Sequence, residues 1–131
     1  MPPELLDQHQ NPLILVVDDE MALRQLVAKL LTKTGFGAVA AEGGREALAL
    51  LDGGLKPDAI ILDLLMPGMN GVEFVDAARA SGHDVPTVLV SASPDAGDEA
   101  RRLQLAGCLR KPYEISALLD LVRRVIRARA A

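Results

Sequence analysis

Four short apolar runs in this sequence each end in a residue able to do chemistry. Asp18 and Asp19 follow Leu13 to Val17, Asp63 follows Ala59 to Leu62, Ser91 follows Val85 to Val90, and Lys111 follows Gly107 to Arg110. Brought together, three carboxylates repel one another and raise each other's pKa unless a cation relieves them. Oxygen-only ligands favour a hard divalent ion, Mg²⁺ with Mn²⁺ as the alternative, over Zn²⁺. His9 and His83, the only histidines, lie away from these runs. Carboxylates, a cation, an ammonium and a hydroxyl suit phosphoryl transfer, in which catalysis is mostly positioning and charge neutralisation. Asp63 would attack phosphorus in line and become an acyl phosphate. Mg²⁺ and Lys111 would each take one phosphoryl oxygen, and Ser91 would donate to the third.

Taken singly, each residue has a plainer explanation. An Asp-Asp pair caps a helix, a lone Asp ends a strand in a turn, a Ser caps the next helix and a Lys is a surface charge. Only joint placement favours the chemistry, so the elements that carry these residues decide the matter.

Leu13 to Val17 has the branched, continuous apolar character of a buried strand. Leu23, Leu26, Val27, Leu30 and Leu31 then recur with helical spacing up to Gly35. Phe36 to Ala41 is a weaker strand, and Ala47, Leu48 and Leu51 mark a helix closed by Gly53-Gly54. Ala59 to Leu62 is a strand, and Asn70 is a suitable N-cap for a helix carrying Val72, Val75 and Ala78. Val85 to Val90 forms a fourth strand. Pro94 to Gln104 is a poor helix with Gly97 inside it. Gly107 to Arg110 is a brief fifth strand, and the last helix runs from about Glu114 to Arg129 with Ile115, Leu118, Leu119 and Val122 on one face. Such alternation of strands and helices predicts parallel βαβ units with helices on both faces of one sheet. In these folds the site lies beyond the carboxyl ends of the strands. That is where Asp18, Asp19, Asp63, Ser91 and Lys111 fall.

At 131 residues the chain suits one domain. Half of it is hydrophobic yet only 2% is aromatic, so the core must be built of Leu, Val, Ile and Ala. A net charge of −4 argues against nucleic acid as a direct partner. Cys108, the single cysteine, excludes an internal disulfide and fits a reducing compartment. Neither a signal peptide nor a membrane-spanning run is visible, which predicts a cytoplasmic protein.

The chain resembles the receiver domain of response regulators, the CheY-like family, from Leu13 to about Ile126. The resemblance rests on Val-Val-Asp18-Asp19-Glu20, on Leu62-Asp63 through Met66-Pro67 to Gly71, on Val88 to Ser91-Ala92, and on Gly107 to Lys111-Pro112-Tyr113. In this order and at these separations the motifs are highly specific, although each alone is weak. The resemblance implies a flavodoxin-like (βα)5 fold with strand order 2-1-3-4-5, and Asp63 as phosphoacceptor. It implies that Asp19 and Asp63 bind Mg²⁺ directly with the backbone carbonyl of Leu65, and Asp18 mainly through water. Lys111 and Ser91 complete the chemistry, and Lys111–Pro112 would be a cis peptide. Ala92, Cys108 and Pro112 are the positions it assigns to the switch.

The donor implied is a phosphohistidine on a sensor histidine kinase or histidine phosphotransfer protein, and the output is docking to a downstream protein through the face formed by the fourth helix, the fifth strand and the last helix. The protein would be a signalling module that catalyses only its own phosphoryl transfer and dephosphorylation. Residues 1–12 would be a flexible leader and 13–129 the receiver, with no output domain. An initial Met and the lack of an obvious tag fit a stand-alone regulator.

Three positions depart from the family pattern. Cys108 stands where an aromatic or His is usual, and is too small to fill that volume. It is expected to be a small buried hydrophobe, with coupling carried by the loop after the fourth strand and the helix weakened by Gly97. Leu65 replaces a frequently polar residue and would shield the phosphoryl group from water, with Ser93 too short to position that water. The segment from Ser91 to Lys111 is slightly shorter than usual.

Ala117, Leu121 and Val125 form a second apolar stripe on the last helix, explained most simply as a wide core stripe. The alternative is a patch for a partner or weak homodimer. Arg123, Arg124, Arg127 and Arg129 suit a helix C-terminus and need no nucleic acid. Other readings fit less well. A pseudo-receiver scaffold would not need the intact Asp, Ser and Lys set. A flavodoxin would cradle phosphate after the first strand, where Asp18-Asp19-Glu20 would repel it. A haloacid-dehalogenase-type phosphatase would need an Asp two positions after its nucleophile, and residue 20 is Glu.

Overall fold

The computed structural model describes residues 11–130. Most of the leader expected over 1–12 therefore lies outside the described residues. The element order is β1 (Leu13–Val17), α1 (Met21–Lys33), β2 (Gly37–Ala41), α2 (Gly44–Asp52), β3 (Ala59–Asp63), α3 (Gly71–Ala80), β4 (Thr87–Ser91), α4 (Ala96–Arg102), β5 (Gly107–Arg110) and α5 (Ile115–Ala130). All pairings are parallel and the sheet order is β2-β1-β3-β4-β5, as expected.

Alternation along each strand divides the core into two layers. Leu15, Val17, Ile60, Leu62 and Leu89 pack on one face with Leu51, Phe74 and Val75 from α2 and α3, and with Ala96 and Ala100 from α4. Ile14, Val16, Ile61, Val88 and Val90 pack on the other with Val27 and Leu31 from α1 and Leu118 and Val122 from α5. The three central strands are buried almost throughout, which is why they read as unbroken apolar runs rather than alternating ones. The scarcity of aromatics is met as expected, and both phenylalanines, Phe36 and Phe74, are buried.

Register sets the active end of the sheet. Val17 pairs with Leu62, Asp63 with Val90 and Ser91 with Arg110. Asp18 and Asp63 thus continue the row of Val90 on the α1–α5 face. Ser91 lies one residue further along and faces the opposite side.

Several boundaries differ from the expectation. β2 starts at Gly37, because the Phe36 N–H is already used in closing the end of α1 on Leu31 O at 3.0 Å. β4 starts at Thr87, since Pro86 has no N–H for the ladder and only its carbonyl bonds Ile60. α4 is short and buries only Ala96 and Ala100. On α1, Leu26 is exposed at 50%, while Arg24 takes a buried place on the same stripe as Val27 and Leu31. Of the second stripe of α5, Val125 is buried, while Leu121 is half-buried and lies over Gly107 so closely that a Cβ there would come within 3.0 Å of it.

Candidate functional site

Asp18 and Asp63 are positioned by the ends of β1 and β3, and Asp19 by the turn into α1. One carboxylate oxygen from each of the three lies within 4.8 Å of the others. Asp18 and Asp63 are buried and Asp19 is exposed. Each buried acid is aimed by a local backbone bond. The Glu20 N–H donates to Asp18 Oδ1 at 2.8 Å, and the Leu65 N–H donates to Asp63 Oδ1 at 3.2 Å.

The free oxygen of Asp63 meets the lysine. Lys111 Nζ lies 3.3 Å from Asp63 Oδ2 and 3.8 Å from Asp18 Oδ2. Its backbone is tied to the neighbouring strand end by Lys111 N–H to Ser91 O at 2.8 Å, and the Lys111–Pro112 peptide is cis.

The charges do not balance. Burial pushes the Asp63 carboxyl above its ordinary value and Asp18 adds to this, against the lowering effects of Lys111 and the Leu65 N–H. Burial alone would lower Lys111, but Asp63 and Asp18 outweigh it and hold the ammonium above its usual range. One ammonium facing three carboxylates leaves the pocket short of positive charge. An all-oxygen acidic site of this kind fits a hard divalent cation, and Asp18, Asp19 and Asp63 are the residues able to hold one.

The loop from β3 to α3 comes close to the site. Gly71 permits this, because a Cβ there would stand 3.0 Å from Asp63 O and from the Leu64 Cα. The loop is closed by a capping box in which Asn70 Oδ1 accepts from Glu73 N–H at 2.9 Å and Glu73 Oε1 accepts from Asn70 N–H at 3.0 Å. The cap expected from Asn70 is present. Leu65 stands in this loop with its side chain 61% exposed.

Ser91 is fully buried at the same sheet end, but its hydroxyl is turned toward the β4–α4 loop, where Oγ accepts from Ser93 N–H at 3.0 Å. Ser93 in turn bonds the start of α4, its Oγ accepting from Asp95 N–H at 3.2 Å and its carbonyl from Ala96 N–H at 3.2 Å. The structure therefore gathers Asp18, Asp19, Asp63 and Lys111, and places Ser91 beside them with its oxygen engaged elsewhere. Ala92 and Pro112 are exposed, and with Lys111 they line a groove completed by Leu23, Leu26, Tyr113 and Ile115. Cys108 is half-buried against the α2–α4 side of the core, and burial raises its thiol pKa.

Sequence reading missed Arg24. Its side chain is 8% exposed and Nη1 donates to the Asp18 carbonyl at 2.8 Å. The available signal was an arginine in register with Val27 and Leu31, a stripe that otherwise holds buried aliphatics.

A five-stranded parallel sheet with order 2-1-3-4-5, carrying paired acids after β1, an acid after β3 and a lysine after β5, defines a class of signalling module. The chain belongs to the response regulator receiver domain family, which matches residues 14–123. It is 35% identical over 117 residues to the response regulator MprA of Mycolicibacterium vanbaalenii, across 87% of this chain and 50% of that protein. It thus spans about half the length of the curated relatives it matches. The chemotaxis protein CheY4 of Vibrio cholerae has a similar structure, with 34% identity and a TM-score of 0.78 over 88% of this chain and 98% of that one. The receiver domain of the Francisella response regulator 1452 superposes with a TM-score of 0.83 at 27% identity, over 90% and 98% of the two chains. Among the described residues no helix is long and apolar enough to cross a membrane.

Proposed function

We propose that this receiver domain takes a phosphoryl group onto Asp63 from a phosphohistidine of a sensor histidine kinase or histidine phosphotransfer protein. The observation that carries this reading is the buried Asp63 carboxylate with one oxygen 3.3 Å from Lys111 Nζ, inside a trio of acids whose oxygens lie within 4.8 Å. Asp63 Oδ2 forms the new bond to phosphorus as the donor's P–N bond breaks. The bonding pair leaves on the imidazole nitrogen, which takes up a proton. Bound Mg²⁺ supplies positive charge to the phosphoryl oxygens. Asp19, Asp63 and the Leu65 carbonyl would hold it directly, and Asp18 through water. Lys111 neutralises a further phosphoryl oxygen, and it is already held at the rim by Ser91 O.

The groove of Leu23, Leu26, Pro112, Tyr113 and Ile115 shares Lys111 with the site. It gives a donor protein an apolar seat next to the acceptor. Output follows from Ser91. Turning its hydroxyl toward a phosphoryl oxygen gives up the Ser93 N–H and loosens the start of α4, an element anchored by two alanines. The α4-β5-α5 face then presents a changed surface to a downstream protein, and Cys108 contributes no ring to the motion.

Phosphoramidate tests the reading, because its P–N bond stands in for phosphohistidine. With Mg²⁺, intact mass is expected to rise by one phosphoryl group, with EDTA abolishing the gain and hydroxylamine removing the label. A label that forms equally in EDTA or resists hydroxylamine would overturn it.

A further inference from the structure

Arg24 is a buried cation that the chemistry just described does not use. It stands in the first turn of α1 at 8% exposure, and its Nη1 donates to the Asp18 carbonyl in a buried bond of 2.8 Å. Among the described residues no carboxylate is in ion-pairing contact with it. A buried guanidinium without a paired carboxylate is costly, and an aliphatic side chain at this place on the stripe of Val27 and Leu31 would be cheaper. What the guanidinium holds is the peptide between Asp18 and Asp19. That turn has three other ties, from Asp18 N–H to Ala41 O at 3.2 Å, from Glu20 N–H to Asp18 Oδ1 at 2.8 Å and from the Arg24 backbone N–H to Glu20 O at 3.0 Å. None of them touches the Asp18 carbonyl. Arg24 therefore fixes the plane of the peptide from which Asp19, the one exposed acid of the trio, departs. It also brings a second cation, besides Lys111, to the segment that carries two of the three carboxylates.

We infer that Arg24 is a positioning residue for divalent-cation binding, tethering the Asp18–Asp19 peptide so that both carboxylates are set for the ion before it arrives. The inference rests on the reading of the acid trio as a Mg²⁺ site. Residues that orient metal ligands without touching the metal commonly govern affinity by about 10–100-fold.

Mg²⁺ titration by calorimetry on the whole chain tests it, with wild type, Arg24→Met, Arg24→Lys and Val27→Ala. Arg24→Met is expected to bind Mg²⁺ at least about tenfold more weakly. Arg24→Lys, which keeps the charge and a donor, is expected to recover part of that loss. Val27→Ala, a cut in the same helix face, is expected to lower thermal stability and leave Mg²⁺ affinity unchanged. At saturating Mg²⁺ the phosphorylation rate of Arg24→Met is expected to return to the wild-type value. Should Arg24→Met not fold, Arg24→Lys carries the test alone, with affinity at least threefold below wild type expected. Unchanged affinity in the Arg24 variants, or an equal loss in Val27→Ala, would overturn the inference. A wild-type chain that binds no Mg²⁺ would instead overturn the reading of the site beneath it.

Discussion

At the scale of single residues, phosphoryl transfer requires Asp63 to ionise where burial and Asp18 oppose it. Its folded-state pKa lies above the ordinary 3.8, so the native state holds the proton more tightly than the unfolded chain. This favours the fold below pH 3.8 and is lost as pH rises through the folded pKa. Asp63→Asn is therefore expected to melt higher than wild type at pH 7 without Mg²⁺. The gain should vanish as pH falls below the folded pKa toward 3.8, and thermal melts across that window check it. Leu65 is the second residue whose type matters. Its side chain is exposed beside Asp63, whose Oδ1 accepts from the Leu65 N–H, so it is placed to cover a phosphoryl group from attacking water. Leu65→Asn is expected to shorten the lifetime of phospho-Asp63 on the order of tenfold by positioning that water. A faster decay in Leu65→Ala than in Leu65→Asn, followed by loss of the phosphoryl mass with time, would contradict this role.

At the scale of elements, the β4–α4 connection is lightly anchored and directly linked to Ser91. Ser91 Oγ, Ser93 and the first turn of α4 form one chain of hydrogen bonds, and α4 buries only two alanines. Shifts in the NMR signals of residues 93–102 on phosphorylation are expected in wild type and expected to be much reduced in Ser91→Ala. Unchanged shifts would remove Ser91 from the coupling. Much of this architecture was legible in the chain. The bounds of β1 and β5 follow from apolar runs ended by Asp18 and Lys111, and the start of α3 from Asn70 as its N-cap. What could not be read was facing. Leu26 and Leu30 have the spacing of Val27 and Leu31, but which flank of a stripe meets the sheet depends on the neighbouring strands. An arginine on α1 likewise reads as solvent-facing until the Asp18 carbonyl is found beneath it. The acids themselves were legible as candidates, but their closeness depends on register across β1 and β3, which no local pattern states. The orientation of the Ser91 hydroxyl is a further case, decided by a loop bond to Ser93.

At the scale of the whole molecule, the two faces of the sheet have different duties. The α1–α5 layer carries the groove of Leu23, Leu26, Pro112, Tyr113 and Ile115 and continues into the row of Asp18 and Asp63. The α2–α4 layer receives Ser91 and Cys108 and leads to α4. Because Leu118, Leu119, Val122 and Val125 of α5 are all buried, the second stripe keeps only its half-buried members Ala117 and Leu121 to meet a second copy. The unphosphorylated chain is accordingly expected to elute as a monomer in gel filtration, and a resting dimer would contradict this.

If Asp63 is the phosphoacceptor, removing its carboxylate must abolish the label. Wild type and Asp63→Asn are incubated with acetyl phosphate and Mg²⁺ and read by intact mass. A Mg²⁺-dependent gain of one phosphoryl group is expected in wild type and none in Asp63→Asn. A phosphoryl group retained by folded Asp63→Asn would place the chemistry on another residue and contradict it.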